Sequence, residues 1–229
     1  MKVQRLRLRY SLGPEACGLG QRDLAAAWEE VLQSAGLPLA YSEGRRQSPQ
    51  LAIGAPLPQG VTSDCELLDA VMELYVPVSD ILPRISPHLP PGIHVLTVEE
   101  VGVNVPSLQS QVRWAQYEVR LDGGVPDHLR EAICRTLEAR TLPSEYRREK
   151  KVREYDMRPL ILDLRICADD DRVIVMRLRA EPERTARADL VAAALGLPQD
   201  ARIHRTRLVL EEVPPIVLAR RRQAGLDED

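Results

Sequence analysis

Three groups of side chains in this 229-residue chain have types and spacings that suit binding or proton transfer. Arg5, Arg7 and Arg9 alternate with apolar residues in QRLRLRY. On an extended strand, side chains of one face stand about 7 Å apart, close to the spacing of successive phosphates on a nucleic-acid strand. The run YRREKKVREYDMR at 146–158 carries Arg147, Arg148, Lys150, Lys151, Arg153 and Arg158, blunted by Glu149, Glu154 and Asp156. Arg202, Arg205 and Arg207 surround His204, whose side-chain type suits general acid–base work. Each group also has a plain structural reading, as a solvated face paired with acids on neighbouring strands.

Other chemistries lack support. Cys17, Cys65, Cys134 and Cys167 are far apart, with no CxxC pair for zinc or an iron–sulfur cluster, so free thiols in a reducing compartment are expected. The histidines form no HExxH, and no GxxxxGK[ST], GxGxxG or GxSxG occurs. Asp64, Glu66 and Asp69 are spaced like candidates for a hard cation, while Asp169, Asp170 and Asp171 read as a turn because the Gly and closing Glu of a calcium loop are missing. No metal and no cofactor is expected. Phenylalanine is absent and aromatics make up 3%, which excludes a row of rings for base stacking, so any nucleic-acid contact would fall to arginine.

The elements that must position these groups follow from periodicity. The chain carries a net charge of −3; residues 1–110 hold 8 basic and 12 acidic groups, residues 111–229 hold 23 and 22. Neither half is an autonomous basic domain. VQRLRLRY reads as a half-buried strand with its arginines outward, and residues 21–35 as a helix closed by Gly36. Segment 64–75 fits both a helix and a strand; the order of elements favours the strand. A short helix at 79–88 and a strand at 92–101 complete β-α-β-β-α-β. The same order recurs after 107, with strands at 112–121, 159–167, 173–180 and 202–213, helices near 126 and 186–195, and a short extra strand near 146–152. The expected fold class is α+β, as two tandem ferredoxin-like units with antiparallel sheets, at 1–106 and 107–213, followed by a loose tail at 214–229. No apolar run spans a bilayer and no signal peptide is visible, so a cytoplasmic location is expected, with no membrane partner.

The stretch AGLPLAYSEG at 35–44, Pro49, LPQGVTS at 57–63, DMRP at 156–159, ARADLVAAALG at 186–196 and IHRTRL at 203–208 together resemble the bacterial radical-SAM-linked proteins. That family is a domain of unknown function encoded beside, or fused to, a radical SAM protein. The resemblance implies partnership with a radical SAM enzyme and an RNA-related substrate. The family's Ser-His-Leu-Asp run at the start of its first helix reads Gly20, Gln21, Arg22, Asp23 here, and its Gly-Phe-Asn-Pro-His-Pro loop reads Gly44, Arg45, Arg46, Gln47, Ser48, Pro49. Both histidines are replaced. Tyr41, Ser42 and Gly44 are kept.

The expectation is therefore a non-catalytic accessory protein that recognises a substrate for a radical SAM enzyme and touches RNA through Arg5, Arg7, Arg9, Arg45, Arg46 and the 146–158 run, with Tyr41, Ser42 and Gly44 in the same binding role. Two alternatives stand beside it: an RNA-processing endonuclease of ferredoxin-like build using His204 or Tyr41, and a structural module that pairs as a homodimer.

Overall fold

The computed structural model describes residues 2–43, 47–148, 151–198 and 200–211. Their order is β1 (Gln4–Leu12), α1 (Gln21–Ser34), β2 (Leu51–Ile53), β3 (Thr62–Met72), α2 (Val78–Ile85), β4 (Ile93–Val101), α3 (Leu108–Gln111), β5 (Val112–Arg120), α4 (Asp127–Glu138), β6 (Pro143–Arg148), β7 (Lys151–Asp156), β8 (Ile161–Ile166), β9 (Val173–Glu181), β10 (Arg184–Thr185), α5 (Ala188–Ala194) and β11 (Arg202–Leu210). The fold is mixed α+β, dominated by a mostly antiparallel sheet of nine strands with the main path β10-β9-β5-β11-β3-β1-β4. β2 joins at β3, β8 joins at β9, and β6–β7 is a separate hairpin.

Within the N-terminal half the neighbours run β4-β1-β3-β2, and within the C-terminal half β11-β5-β9-β8, all antiparallel. The halves meet where β11 lies parallel to β3, with His204 beside Thr62 and Arg205 beside Ser63. Two apolar clusters result. One packs α1 and α2 on β1 and β3 around Leu6, Leu8, Trp28 and Leu68. The other packs α4 and α5 on the C-terminal strands, and reaches into the N-terminal half through Ala55, Val61, Cys65 and Leu67.

Residues 64–72 form a strand, and the reason they read ambiguously is visible. Most of β3 is buried on both faces, so the apolar run lacks the alternation of a half-solvated strand. β1 departs from expectation for the same reason. Arg5 and Arg7, expected in solvent, are only 6% and 7% exposed. The chain leaving β4 at one edge must pass β1, β3 and β11 to reach β5, and it does so against Arg5. Arg5 Nη1 donates to Val105 O (2.8 Å) and Nη2 to Pro106 O (3.2 Å). Asp69 accepts from both arginines: Arg5 Nε at 2.7 Å and also Arg5 Nη2, with Arg7 Nε at 2.7 Å and Arg7 Nη2 at 3.0 Å. The buried row is thus a charge-paired anchor for the crossing segment, and of the three only Arg9 is exposed. The expected tail at 214–229 lies outside the described residues.

Removing Asp69 leaves two buried guanidiniums with no counter-charge, a loss of about 3–5 kcal/mol for a broken buried pair. Asp69→Ala is expected to lower the unfolding free energy obtained from urea titration by that amount, and substituting the exposed Arg9 by Ala to leave it within about 0.5 kcal/mol of the parent.

Candidate functional site: the cleft between the halves

The parallel joint between β3 and β11 carries a second buried ion pair. Arg205 and Glu66 are each 1% exposed. Arg205 Nη1 donates to Glu66 Oε1 (2.8 Å), Glu66 Oε2 (3.1 Å) and Ala55 O (3.3 Å), while Nη2 donates to Pro56 O (2.8 Å). Nε and Nη2 also donate to the Tyr117 hydroxyl at 3.1 and 2.9 Å. Every guanidinium nitrogen is therefore bonded, which is what a charge in a dry interior requires. Burial alone would lower the Arg205 pKa; Glu66 and Tyr117 overcome that and hold it above the ordinary arginine value. Burial pushes the Tyr117 hydroxyl up. It also pushes the Cys65 thiol up to about 11, against a lowering hydrogen bond from Ser63. None of these groups exchanges protons near neutral pH.

Ala55 and Pro56 connect this cluster to a cleft of about 1480 Å³. One wall is formed by residues 20–23 and 56–59, the other by Glu154, Tyr155 and Asp156 with residues 182–187, and Tyr117 borders both. The first wall is rigid by construction. Gly60 N–H donates to Cys17 O (2.8 Å) and Gln59 Nε2 to Gly18 O (3.2 Å), tying the 56–60 loop to the entry of α1. Asp23 Oδ2 accepts from the Gly20 N–H at 3.3 Å, capping α1. Charge on the rim is mixed: Arg22, Arg184 and Arg187 face Asp23, Glu154, Asp156 and Glu183. Asp156 Oδ1 already accepts from Leu142 N (2.7 Å) and Arg158 N (3.0 Å).

The residues singled out in the sequence are dispersed. Residues 20–23 line the cleft. Tyr41 accepts from Gln33 Nε2 (3.1 Å) in the last turn of α1, one helix length away, or about 20 Å at 1.5 Å per residue. Ser42 pairs with Ser48 through both backbone and hydroxyl, and Gly44, Arg45 and Arg46 lie outside the described residues. In the 146–158 run the expected short strand is a two-stranded hairpin, in which Arg147 lies opposite Val152, Arg148 opposite Lys151 and Arg153 opposite Tyr146; Glu149 and Lys150 lie outside the described residues. Arg158 is committed to structure, donating to Ile161 O (3.0 Å) and Leu137 O (2.8 Å). The candidate cation set is split three ways: Asp64 bonds His204, Glu66 bonds Arg205, and Asp69 bonds Arg5 and Arg7. Among the described residues no three His, Cys, Asp or Glu side chains stand together as metal ligands. No helix there is long and apolar enough to cross a membrane.

His204 places Nδ1 2.7 Å from Thr62 Oγ1 and Nε2 2.9 Å from Asp64 Oδ2, spanning the parallel joint. What sequence reasoning missed is Arg205 and Tyr117 as a buried unit. The signal was present in the strand parity, since Arg205 falls two positions from Ile203 and so on the core-facing side of β11.

Residues 5–188 match a family described as an uncharacterized protein conserved in bacteria (DUF2344), and the chain belongs to that family. No curated protein matches it. Among solved structures, a Cbf5-Nop10-Gar1 complex is similar at 12% identity and a TM-score of 0.43, over 90% of this chain and 49% of that one. An archaeal box H/ACA sRNP Nop10-Cbf5 complex is similar at 14% identity and 0.41, over 89% and 48%. The chain thus spans about half the length of these chains, at scores below those of a shared fold.

Two outcomes follow from the joint. Glu66→Ala strands the buried Arg205 and is expected to cost about 3–5 kcal/mol in urea unfolding; adding Arg205→Met removes the stranded charge and recovers part of that loss. At about pH 8, alkylation read by mass spectrometry should label exposed Cys134 first and leave buried Cys65 unmodified until the chain unfolds.

Proposed function

We propose that the protein is a non-catalytic recognition partner of a radical SAM enzyme, serving an RNA-related substrate, and that the cleft between its halves receives that partner. The observation that carries this reading is the cleft itself. Its volume of about 1480 Å³ exceeds the roughly 300–1,000 Å³ of small-molecule pockets, which favours a macromolecular occupant. Its mixed rim charge suits a protein surface of alternating sign better than a polyanion. Asp23 and Asp156 on the rim already serve backbone N–H groups, and the titratable groups behind it are bonded and moved away from neutrality. The link to a radical SAM enzyme rests on the sequence resemblance; residues 20–23, where this chain departs from the run at the start of that family's first helix, fall on the cleft wall.

The strand orders β4-β1-β3-β2 and β11-β5-β9-β8 support reading the halves as two ferredoxin-like units, divided near residues 106 and 107. Arg9, Arg45, Arg46, Arg147, Arg148, Lys150, Lys151 and Arg153 are the proposed RNA contacts, while Arg5, Arg7 and Arg158 act inside the fold.

A second reading has one observation in its favour. The Thr62–His204–Asp64 arrangement places a hydroxyl, an imidazole and a carboxylate in one line of hydrogen bonds, as an RNA-processing endonuclease would use. Those bonds also fit a cross-strand clasp, because Thr62 and His204 are register partners.

Co-expression with the radical SAM protein tests the first reading. A stable complex is expected, lost on placing a bulky Arg22→Trp or Arg184→Trp substitution in the cleft while the melting temperature holds. Absence of a complex, or one indifferent to both substitutions, contradicts it. Metal-free cleavage of RNA by the isolated chain, abolished in His204→Ala, would instead establish the endonuclease.

A further inference from the structure

The sheet holds a second feature that the cleft does not use. Gln116 on β5 has Arg207 of β11 as its register partner on one side and Arg177 of β9 on the other. Register partners share a face, and neighbouring strands lie about 4.8 Å apart, so the two guanidinium-bearing residues stand roughly 10 Å apart across Gln116. Arg177 lies over Trp114, its guanidinium carbon 4.9 Å from the ring centroid. A cation packed over an indole ring has its rotamer restricted by that contact.

The surroundings sort the charges. Arg179 is bonded to Glu181 (2.8 Å) and Pro159 O (3.3 Å), Arg165 to Asp163 (3.0 Å), and Arg113 to Glu211. Arg177 and Arg207 make no hydrogen bond or ion pair among the described residues. Arg177 is half-buried, and its Nε is enclosed with no hydrogen-bond partner among the described residues, whereas the buried Arg5, Arg7 and Arg205 of the sheet are bonded at Nε. The Arg177 guanidinium, half-buried and packed on the indole, thus keeps hydrogen-bonding capacity that no group among the described residues uses. Two acids face this row: Glu118, next along β5, opposite His204 and Val175, and Asp163 of β8, the register partner of Arg177, which accepts from Arg165.

We infer that the Arg177–Gln116–Arg207 row is a docking surface for a single nucleic-acid strand, bound through its phosphates. Two arginines supply the charge-assisted bonds, and Gln116 between them, whose Nε2 donates to Thr206 Oγ1 (3.3 Å), offers its amide oxygen to sugar or base. Trp114 is covered by Arg177, so the ring serves to fix the guanidinium, and a base would stack on the guanidinium plane instead. This explains how a chain with 3% aromatics reads a strand without a row of rings. The site rests on the RNA-related part of the function proposed above, but uses a surface distinct from the cleft, whose lining residues it does not share.

Binding of a labelled, unstructured oligoribonucleotide to the full chain, titrated over a range of salt, tests it. Arg177→Gln with Arg207→Gln is expected to raise Kd about tenfold or more and to flatten the slope of log K against log salt by about 1.4, two phosphates at roughly 0.7 each. Glu118→Gln should tighten binding. Arg207→Gln alone, at an exposed position, should flatten the slope by about 0.7 and keeps the test decisive if the Arg177 variant misfolds. A deoxy strand of the same sequence separates the sources: equal binding assigns recognition to phosphate, and preference for RNA adds the 2′-hydroxyl. No binding of either strand, or an unchanged salt slope in the double variant, overturns the inference. Complex formation with the radical SAM protein is scored separately, so either proposal can fail without the other.

Discussion

The Arg205–Glu66 pair is the constraint on which the rest of the structure depends. β11 and β3 share only two register pairs, too few to join two half-sheets by backbone bonding alone. The guanidinium adds bonds to Glu66 on β3, Tyr117 on β5 and the carbonyls of Ala55 and Pro56. Three segments, drawn from both halves, thus converge on one side chain of β11. A buried ion pair of this kind is weak as a source of net stability and strong as a source of specificity, because any alternative register strands a charge. Here the specified feature is the angle between the halves, and with it the shape of the cleft beside Pro56.

A similar device operates three residues further along β3. Asp69 holds Arg5 and Arg7, and Arg5 in turn holds the carbonyls of Val105 and Pro106, the segment that carries the chain from one half to the other. The two arginine–carboxylate clusters therefore fix the connection at its covalent link and at its strand joint. Both bury basic residues that the alternating sequence pattern alone would place in solvent. Guanidiniums suit the task because a planar fork satisfies several acceptors at once, which a lysine ammonium does not.

Sequence patterns revealed the element order well and the sites poorly, for physical reasons. Alternation in β1 and the apolar helix faces of α1 and α4 survive in any context, because one face of each meets the core. Segment 64–72 was ambiguous because burial on both faces erases the period that separates strand from helix. Arg5 and Arg7 looked solvated because a charged residue alternating with leucine reads as an outer face; only the crossing of residues 102–107, a tertiary event, buries them. The join of the two half-sheets through β11 and β3 carries no local signal, so the cleft it creates was invisible. The pairing of Arg177 with Trp114 needs the register of β5 and β9, which no single-strand pattern contains.

If the joint fixes the two halves as one body, amides across it must open together. Hydrogen exchange of the full chain at neutral pH measures this directly. Amides of 62–66 in β3 and 202–206 in β11 are expected to exchange as slowly as the centres of β1 and β9, through global unfolding in one cooperative step. Exchange of the joint well before those centres, with the halves then unfolding in separate transitions, would contradict the account.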